Sequence, residues 1–266
     1  ISSSLFTDGG DISYLTSLTD VLSIGTTTDI ATSTGLAVYN RDIEILAGDL
    51  VKVGDYTVEE IAWAVDVVGD YAYFTSPTTG DMLTILDITT DTPTRVGGIT
   101  VSDDSANSIV VQGNYAYLGK QSLGAGLDIF DISNPSNPIL VASSSVHSSF
   151  TEILISGNYL YGVLGGAEDI VVYDISDPTN PSYISGVNAG NTVNGAAISG
   201  NYLYVGTIVG ADELEIYDFS DPTNLVKVGG VDLGANVRNV KISGGYAYVG
   251  INDTEGLAIV DISDPA

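Results

Sequence analysis

His147 is the sole histidine of this 266-residue chain, and cysteine is absent. Nucleophilic catalysis therefore has one place to start: a Ser-His-Asp site would need His147 with Ser148 or Ser149 beside it. Neighbouring residues of an extended segment point to opposite faces, and no G-x-S-x-G elbow occurs. His147 reads as a solvent-exposed loop residue. A histidine or thiolate metal centre is excluded by the same residue counts. Thirty-four acidic residues invite a two-carboxylate glycosidase, but with so many acids some pairs fall close by chance. Calcium is the remaining chemistry. The candidate oxygens sit at Asp81, Glu168/Asp169, Asp212/Glu213, Asn252/Asp253/Glu255 and Asp103/Asp104. Calcium needs about six to eight converging oxygens, and no D-x-D-x-D-G loop is present. The expectation is no catalytic residue, no metal residue and no cofactor, with Ca²⁺ weighed and not predicted.

What must position any site is a repeat. Gly69, Gly113, Gly157, Gly200 and Gly244 are spaced by 44, 44, 43 and 44 residues. Asp87, Asp131, Asp174, Asp218 and Asp261 follow at 44, 43, 44 and 43. Two landmarks holding one period define a structural unit. Within it, apolar residues alternate at period two, the mark of a strand rather than a helix. Strand a carries trios such as Val65–Val67 and Ile109–Val111, apolar at both outer positions. A Gly-Asn, Gly-Asp or Gly-Gly pair then makes a two-residue hairpin. Strand b carries Tyr-x-Tyr at 71/73, 115/117, 159/161, 202/204 and 246/248. After a variable loop, strand c reads L-T-I-L-D, L-D-I-F-D, I-V-V-Y-D, L-E-I-Y-D and L-A-I-V-D, and a Pro-bearing turn leads to strand d.

Four antiparallel strands per unit of this length predict an all-β fold, a β-propeller. The spacing predicts one domain over 1–266, with blades near 10–57, 61–101, 106–146, 150–188, 193–232 and 236–266. Val21–Gly25, Leu36–Asn40 and Leu50–Gly54 are taken as strands b, c and d of a degenerate first blade. The sixth lacks strand d, and Ile1–Phe6 is expected to supply it. That gives six blades of four strands, closed by the N-terminal strand pairing with the C-terminal blade. The same strand could instead enter a neighbouring copy.

The strand c motifs, L-A-I-V-D at Leu257–Asp261 above all, resemble the LVIVD-repeat family over residues 61 to 266. The flanking G-N-Y-A-Y or G-N-Y-L-Y and D-I-S-D-P or D-I-S-N-P strengthen the likeness. The resemblance implies a β-propeller from a secreted or surface-attached bacterial or archaeal protein, and it brings no catalytic residues. The first 60 residues depart from the pattern.

The repeated residues read as scaffold. The strand c aspartates precede Ser or Thr and a turn, where a carboxylate accepts backbone N–H bonds. The paired tyrosines pack between blades. Recognition belongs where the blades differ, on the side of the b–c and d–a loops. At the start of strand a, Trp63, Asn107, Thr151, Glu152, Asn194, Arg238 and Asn239 form the candidate ligand- or partner-binding ring around an axial mouth. Asp66 and Lys241 are expected to face the channel together.

Seven basic residues against the 34 acids leave a formal charge of −27. That repels nucleic acid and anionic lipid, and no apolar run is long enough to span a membrane. The chain begins at Ile1, which fits a processed form or a fragment. The expected function is a non-enzymatic extracellular binding or scaffold module at a microbial cell surface. Its partners would be protein or glycan, and copies of itself are a further possibility. The alternatives are a structural subunit of a surface layer or filament, and a glycan-active hydrolase or lyase.

Overall fold

A computed structural model of the chain describes residues 36–39, 42–45, 55–56, 62–76, 80–101, 105–121, 126–147, 149–165, 169–190, 192–208, 210–252 and 256–265. The chain divides into two compact units, Ile1–Val53 and Gly54–Ala266. In the first, β1 (Leu36–Tyr39) pairs antiparallel with β2 (Asp42–Ile45).

Among its described residues the second unit holds five sheets. Sheet I is β3 (Ala64–Val68), β4 (Tyr71–Thr75), β5 (Gly80–Asp87) and β6 (Thr94–Val101). Sheet II is β7 (Ala106–Gln112), β8 (Tyr115–Lys120), β9 (Leu127–Asp131) and β10 (Ile139–Ser144). Sheet III is β11 (Phe150–Ser156), β12 (Tyr159–Leu164), β13 (Ile170–Asp174) and β14 (Ser182–Val187). Sheet IV is β15 (Val193–Ser199), β16 (Tyr202–Thr207), β17 (Leu214–Asp218) and β18 (Val226–Val231). Sheet V has three strands, β19 (Val237–Ser243), β20 (Tyr246–Ile251) and β21 (Leu257–Asp261). Each sheet is an antiparallel meander in sequence order, so both tight turns of a unit lie on one side and both longer loops on the other.

The landmarks build these sheets as their chemistry requires. Gly69, Gly113, Gly157, Gly200 and Gly244 all have φ between 57° and 60°. The residue after each does not share a positive φ. A lone positive φ at the first central position is the type II′ hairpin, whose twist matches that of the strands it joins. At the c–d turns, the Asp131, Asp174 and Asp218 carboxylates accept the amides of Ser133, Ser176 and Ser220 at 2.7–2.8 Å. Asp87 and Asp261 do the same with Thr89 and Ser263 at 2.9 Å. Each carboxylate lies below its ordinary value of 3.8 because those hydroxyls and amides favour its charged form.

The core lies between sheets. One face of each sheet, its trailing face, packs against the opposite, leading face of the next. Between III and IV, Tyr161, Val163, Ile170 and Val172 meet Val193, Ala196, Leu203 and Val205. The other three junctions repeat this with substitutions. In sheets I to IV the second tyrosine of each pair is buried there, and burial pushes the Tyr117 and Tyr161 phenols up to about 12.

The expectation of six blades and a closed ring is corrected. Among the described residues the second unit shows five sheets, and the row is open: inner strands β3, β7, β11, β15 and β19 pack in succession, with no comparable packing of β19 on β3. Leu36–Tyr39, within the strand c expected at Leu36–Asn40, pairs with Asp42–Ile45. A partner two residues away costs less loop entropy than the distant strand d expected at Leu50–Gly54. Among the described residues sheet V shows no fourth strand. The expected strand at Ile1–Phe6 lies outside the described residues, as do those at Val21–Gly25 and Leu50–Gly54.

Candidate functional site

The inner strands carry the candidate residues, and a register irregularity explains their placing. In sheets II to V the a–b pairing skips one residue: Asn107, Thr151, Asn194 and Arg238. A bulged residue is turned out of the ladder, and its side chain is re-aimed. Asn107 Nδ2 donates to the Phe150 carbonyl at 3.4 Å and Asn194 Nδ2 to the Val237 carbonyl at 3.0 Å, each in the following sheet. Thr151 Oγ1 donates to the Val163 carbonyl of its own sheet at 3.1 Å.

The next residue completes a second contact. Ser108 Oγ accepts the Ile153 amide at 3.0 Å, and Glu152 Oε2 accepts the Ala196 amide at 2.6 Å. Adjacent inner strands thus satisfy their edge N–H groups with side chains of the strand before. Burial pushes the Glu152 carboxyl up, opposed by the Ala196 amide and by Lys241. Lys241 Nζ lies 3.8 Å from Glu152. Asp66, expected to face the channel with Lys241, accepts the amide of Val111 at 2.7 Å.

The expected ring divides in two. Asn107, Thr151, Glu152 and Asn194 are engaged in bonds within the row. Trp63, at the start of sheet I, is 49% exposed, and Arg238 and Asn239 are exposed on sheet V. The three exposed members thus sit at the two ends of the row.

His147 is half-buried rather than solvent-exposed. Its Nδ1 is 2.7 Å from the Tyr173 hydroxyl, and its ring lies 4.7 Å from that of Tyr183. Ser149 Oγ points to the Gln121 carbonyl; Ser148 lies outside the described residues. The acidic loops are tied internally. Asp81 pairs with Arg95 at 2.6 Å. Lys227 bridges Asp212 and Glu215 at 3.1 and 2.8 Å, and Glu215 also accepts the Tyr217 hydroxyl. Asp169 accepts the Gly190 amide, and Glu213 those of Leu233 and Gly234. Among the described residues no three His, Cys, Asp or Glu side chains converge as a metal site. Asp103, Asp104, Glu168, Asp253 and Glu255 lie outside them. A cleft of about 350 Å³ opens on the tight-turn side between sheets III and IV, beside Asn158, Tyr159, Asn201 and Phe219. It was missed from sequence because its walls come from turns that look like pure scaffold.

Comparisons with known proteins agree with this architecture. The LVIVD repeat model matches residues 61–93, 103–146, 150–189, 190–232 and 234–266. No curated protein matches the chain. Among solved structures, the chain is similar to a functionally unknown protein from Desulfotomaculum acetoxidans. That match has a TM-score of 0.65 and 16% identity, covering 86% of this chain and 79% of the other. It is also similar to the β-propeller domain of Cps50 (Swd1) from Myceliophteria thermophila, with a TM-score of 0.64 and 14% identity over 79% and 73%. A nidogen/laminin complex gives a TM-score of 0.56 and 12% identity over 86% and 85%. At these identities the likeness is one of fold, propeller-like, and nothing more.

Proposed function

Because the chain belongs to the LVIVD repeat family, we infer that it works as a non-enzymatic binding scaffold, extracellular and at a microbial cell surface, that takes protein or glycan. The observation that carries this is the asymmetry of each sheet. One side holds hairpins and Asp turns repeated nearly unchanged, while the other holds b–c and d–a loops that differ from unit to unit. Variable loops on a rigid repeated frame are the usual seat of recognition.

The test is binding of the whole chain to an array of purified neutral and acidic polysaccharides and to immobilised bacterial surface proteins. Retention should fall at least tenfold on Gln121→Ala with Asn252→Ala, both exposed loop residues, and stay unchanged on Tyr159→Phe on the turn side. Retention insensitive to the loop changes, or no retention on any surface, would refute the proposal.

A further inference from the structure

The cleft on the tight-turn side between sheets III and IV is lined by neutral groups, in a chain that carries 34 acids. No carboxylate, ammonium or guanidinium group is among its lining residues. Its floor is aromatic. The rings of Tyr161 and Phe219, one from each wall, lie 4.6 Å apart at 45°. Phe219 stands where sheets I, II, III and V have Ile88, Ile132, Ile175 and Ile262. This is therefore the junction at which both walls bring a ring to the turn side.

Uncommitted hydrogen-bonding groups surround that floor. Asn158 and Asn201 are exposed at the tips of two neighbouring hairpins. Their backbone carbonyls accept the amides of Ile175 and Phe219 at 2.8 and 2.9 Å, which fixes the tips. Their carboxamides have no hydrogen-bond partner among the described residues. The Tyr161 side chain is 1% exposed, and its hydroxyl likewise makes no hydrogen bond among the described residues. A buried phenol without a protein partner is satisfied only from the cleft it lines. Burial holds it up at about 12, so it keeps a proton to give. The two walls are tied together where Ser185 Oγ of sheet III donates to the Pro222 carbonyl of sheet IV's turn at 2.7 Å.

We propose that this cleft binds one neutral hexose ring, free or as the end of a glycan, on the side of the sheets opposite the variable loops. A pyranose has an apolar C–H face to lay on the aromatic floor, and hydroxyls that both donate and accept. A carboxamide offers both roles side by side, so Asn158 and Asn201 each span neighbouring hydroxyls while Tyr161 reaches another. A proline-rich peptide would bring carbonyl acceptors and leave the carboxamide oxygens unused. An anionic sugar is repelled by the formal charge of −27. A volume of about 350 Å³ is at the small end of ligand sites, which suits one ring and not a chain running through. Tyr159 contributes its ring, which Tyr159→Phe keeps. The site shares no residue with the loop side, so either can fail without the other.

Saturation-transfer NMR on the whole chain tests it, with titrations of D-glucose, D-galactose, D-mannose, their methyl glycosides and D-glucuronate. At least one neutral hexose should bind saturably in the millimolar range, and glucuronate should not. Asn158→Ala with Asn201→Ala, both at exposed turn positions, should weaken binding at least tenfold. Tyr161→Phe should weaken it several-fold, as should Phe219→Ile, which copies the other junctions. Each variant is checked for an unchanged melt, and if either core substitution unfolds the chain the asparagine pair decides. Gln121→Ala with Asn252→Ala on the loop side should leave sugar binding unchanged, which separates this site from the loop-side reading. Binding of a methyl glycoside assigns the ligand to the end of a glycan, and binding of the free sugar alone assigns a monosaccharide; either supports the proposal. No saturable binding of any neutral hexose overturns it. So does equal binding of glucuronate, binding that survives the asparagine pair, or capture of a proline-rich peptide in place of every sugar.

Discussion

The carboxylate of Asp174 shows how one residue type serves the repeat. It accepts the Ser176 amide at 2.8 Å, and its pKa is held below 3.8, first by the Ser176 hydroxyl and then by that amide. A carboxylate whose folded value is depressed adds stability above its unfolded value and loses it as pH falls through the folded one. Asp174→Ala should therefore melt a few degrees lower than wild type near neutral pH. In calorimetry across a pH series the gap should be full above 3.8 and close as pH falls below it. A gap independent of pH would mean the side chain acts through packing instead. This role was legible in the sequence, because Asp, then Ser or Thr, then a turn is a local pattern with a local bond. The partner of His147 was not. Tyr173 lies 26 residues away, and nothing in the residues flanking His147 points to it.

Among the elements, strand b shows what a junction demands. Gly206 sits where a Cβ would press on the Val237 side chain of sheet V, with Val237 Cβ only 2.9 Å away and Val240 Cγ2 at 3.2 Å. Gly250 holds the same place in sheet V, and a Cβ there would meet nothing nearer than the Asn239 backbone at 3.8 Å. Gly206→Ala should cost about 1–3 kcal/mol through overpacking, and Gly250→Ala should be close to neutral. Denaturant midpoints of the two variants, measured at dilution, decide this; equal losses would contradict the junction geometry. Strand existence and hairpin position were readable from period two and from the glycines. The bulges at Asn107, Thr151, Asn194 and Arg238 were not, because a bulge belongs to the pairing of two strands and leaves no mark on either alone. That is why the inner polar residues read as a ligand ring when four of the seven bond within the row.

For the whole molecule, the count of repeats was legible only where the motif was intact. Leu36–Asn40 imitates strand c, yet Leu36–Tyr39 pairs with its neighbour Asp42–Ile45. The openness of the row was hidden for a related reason: burial at Val65 or Ile259 depends on a neighbouring sheet, while the residue type is the same apolar one found at every repeat. Charge acts at this scale too. With a formal −27 and few basic residues to offset it, the folded chain repels itself, and salt screens that repulsion. Its melting temperature should rise with sodium chloride, by about 2–4 °C for each kcal/mol relieved. A melting temperature that falls with salt would show that the ion pairs of Lys120, Lys227 and Arg95 outweigh the net charge.

The side-chain bonds between inner strands have a mechanical meaning. Asp66, Asn107, Ser108, Glu152 and Asn194 each reach forward to the following strand, so among the described residues sheets II, III and IV are clasped on two flanks and sheets I and V on one. Nearest-neighbour repeat arrays yield unit by unit from their ends. Under tension this chain would surrender its outermost sheet first and then the next, releasing about 150 Å of thread per step at ~3.4 Å per residue. Such a molecule is a graded tether, one that lengthens in increments under load before it lets go.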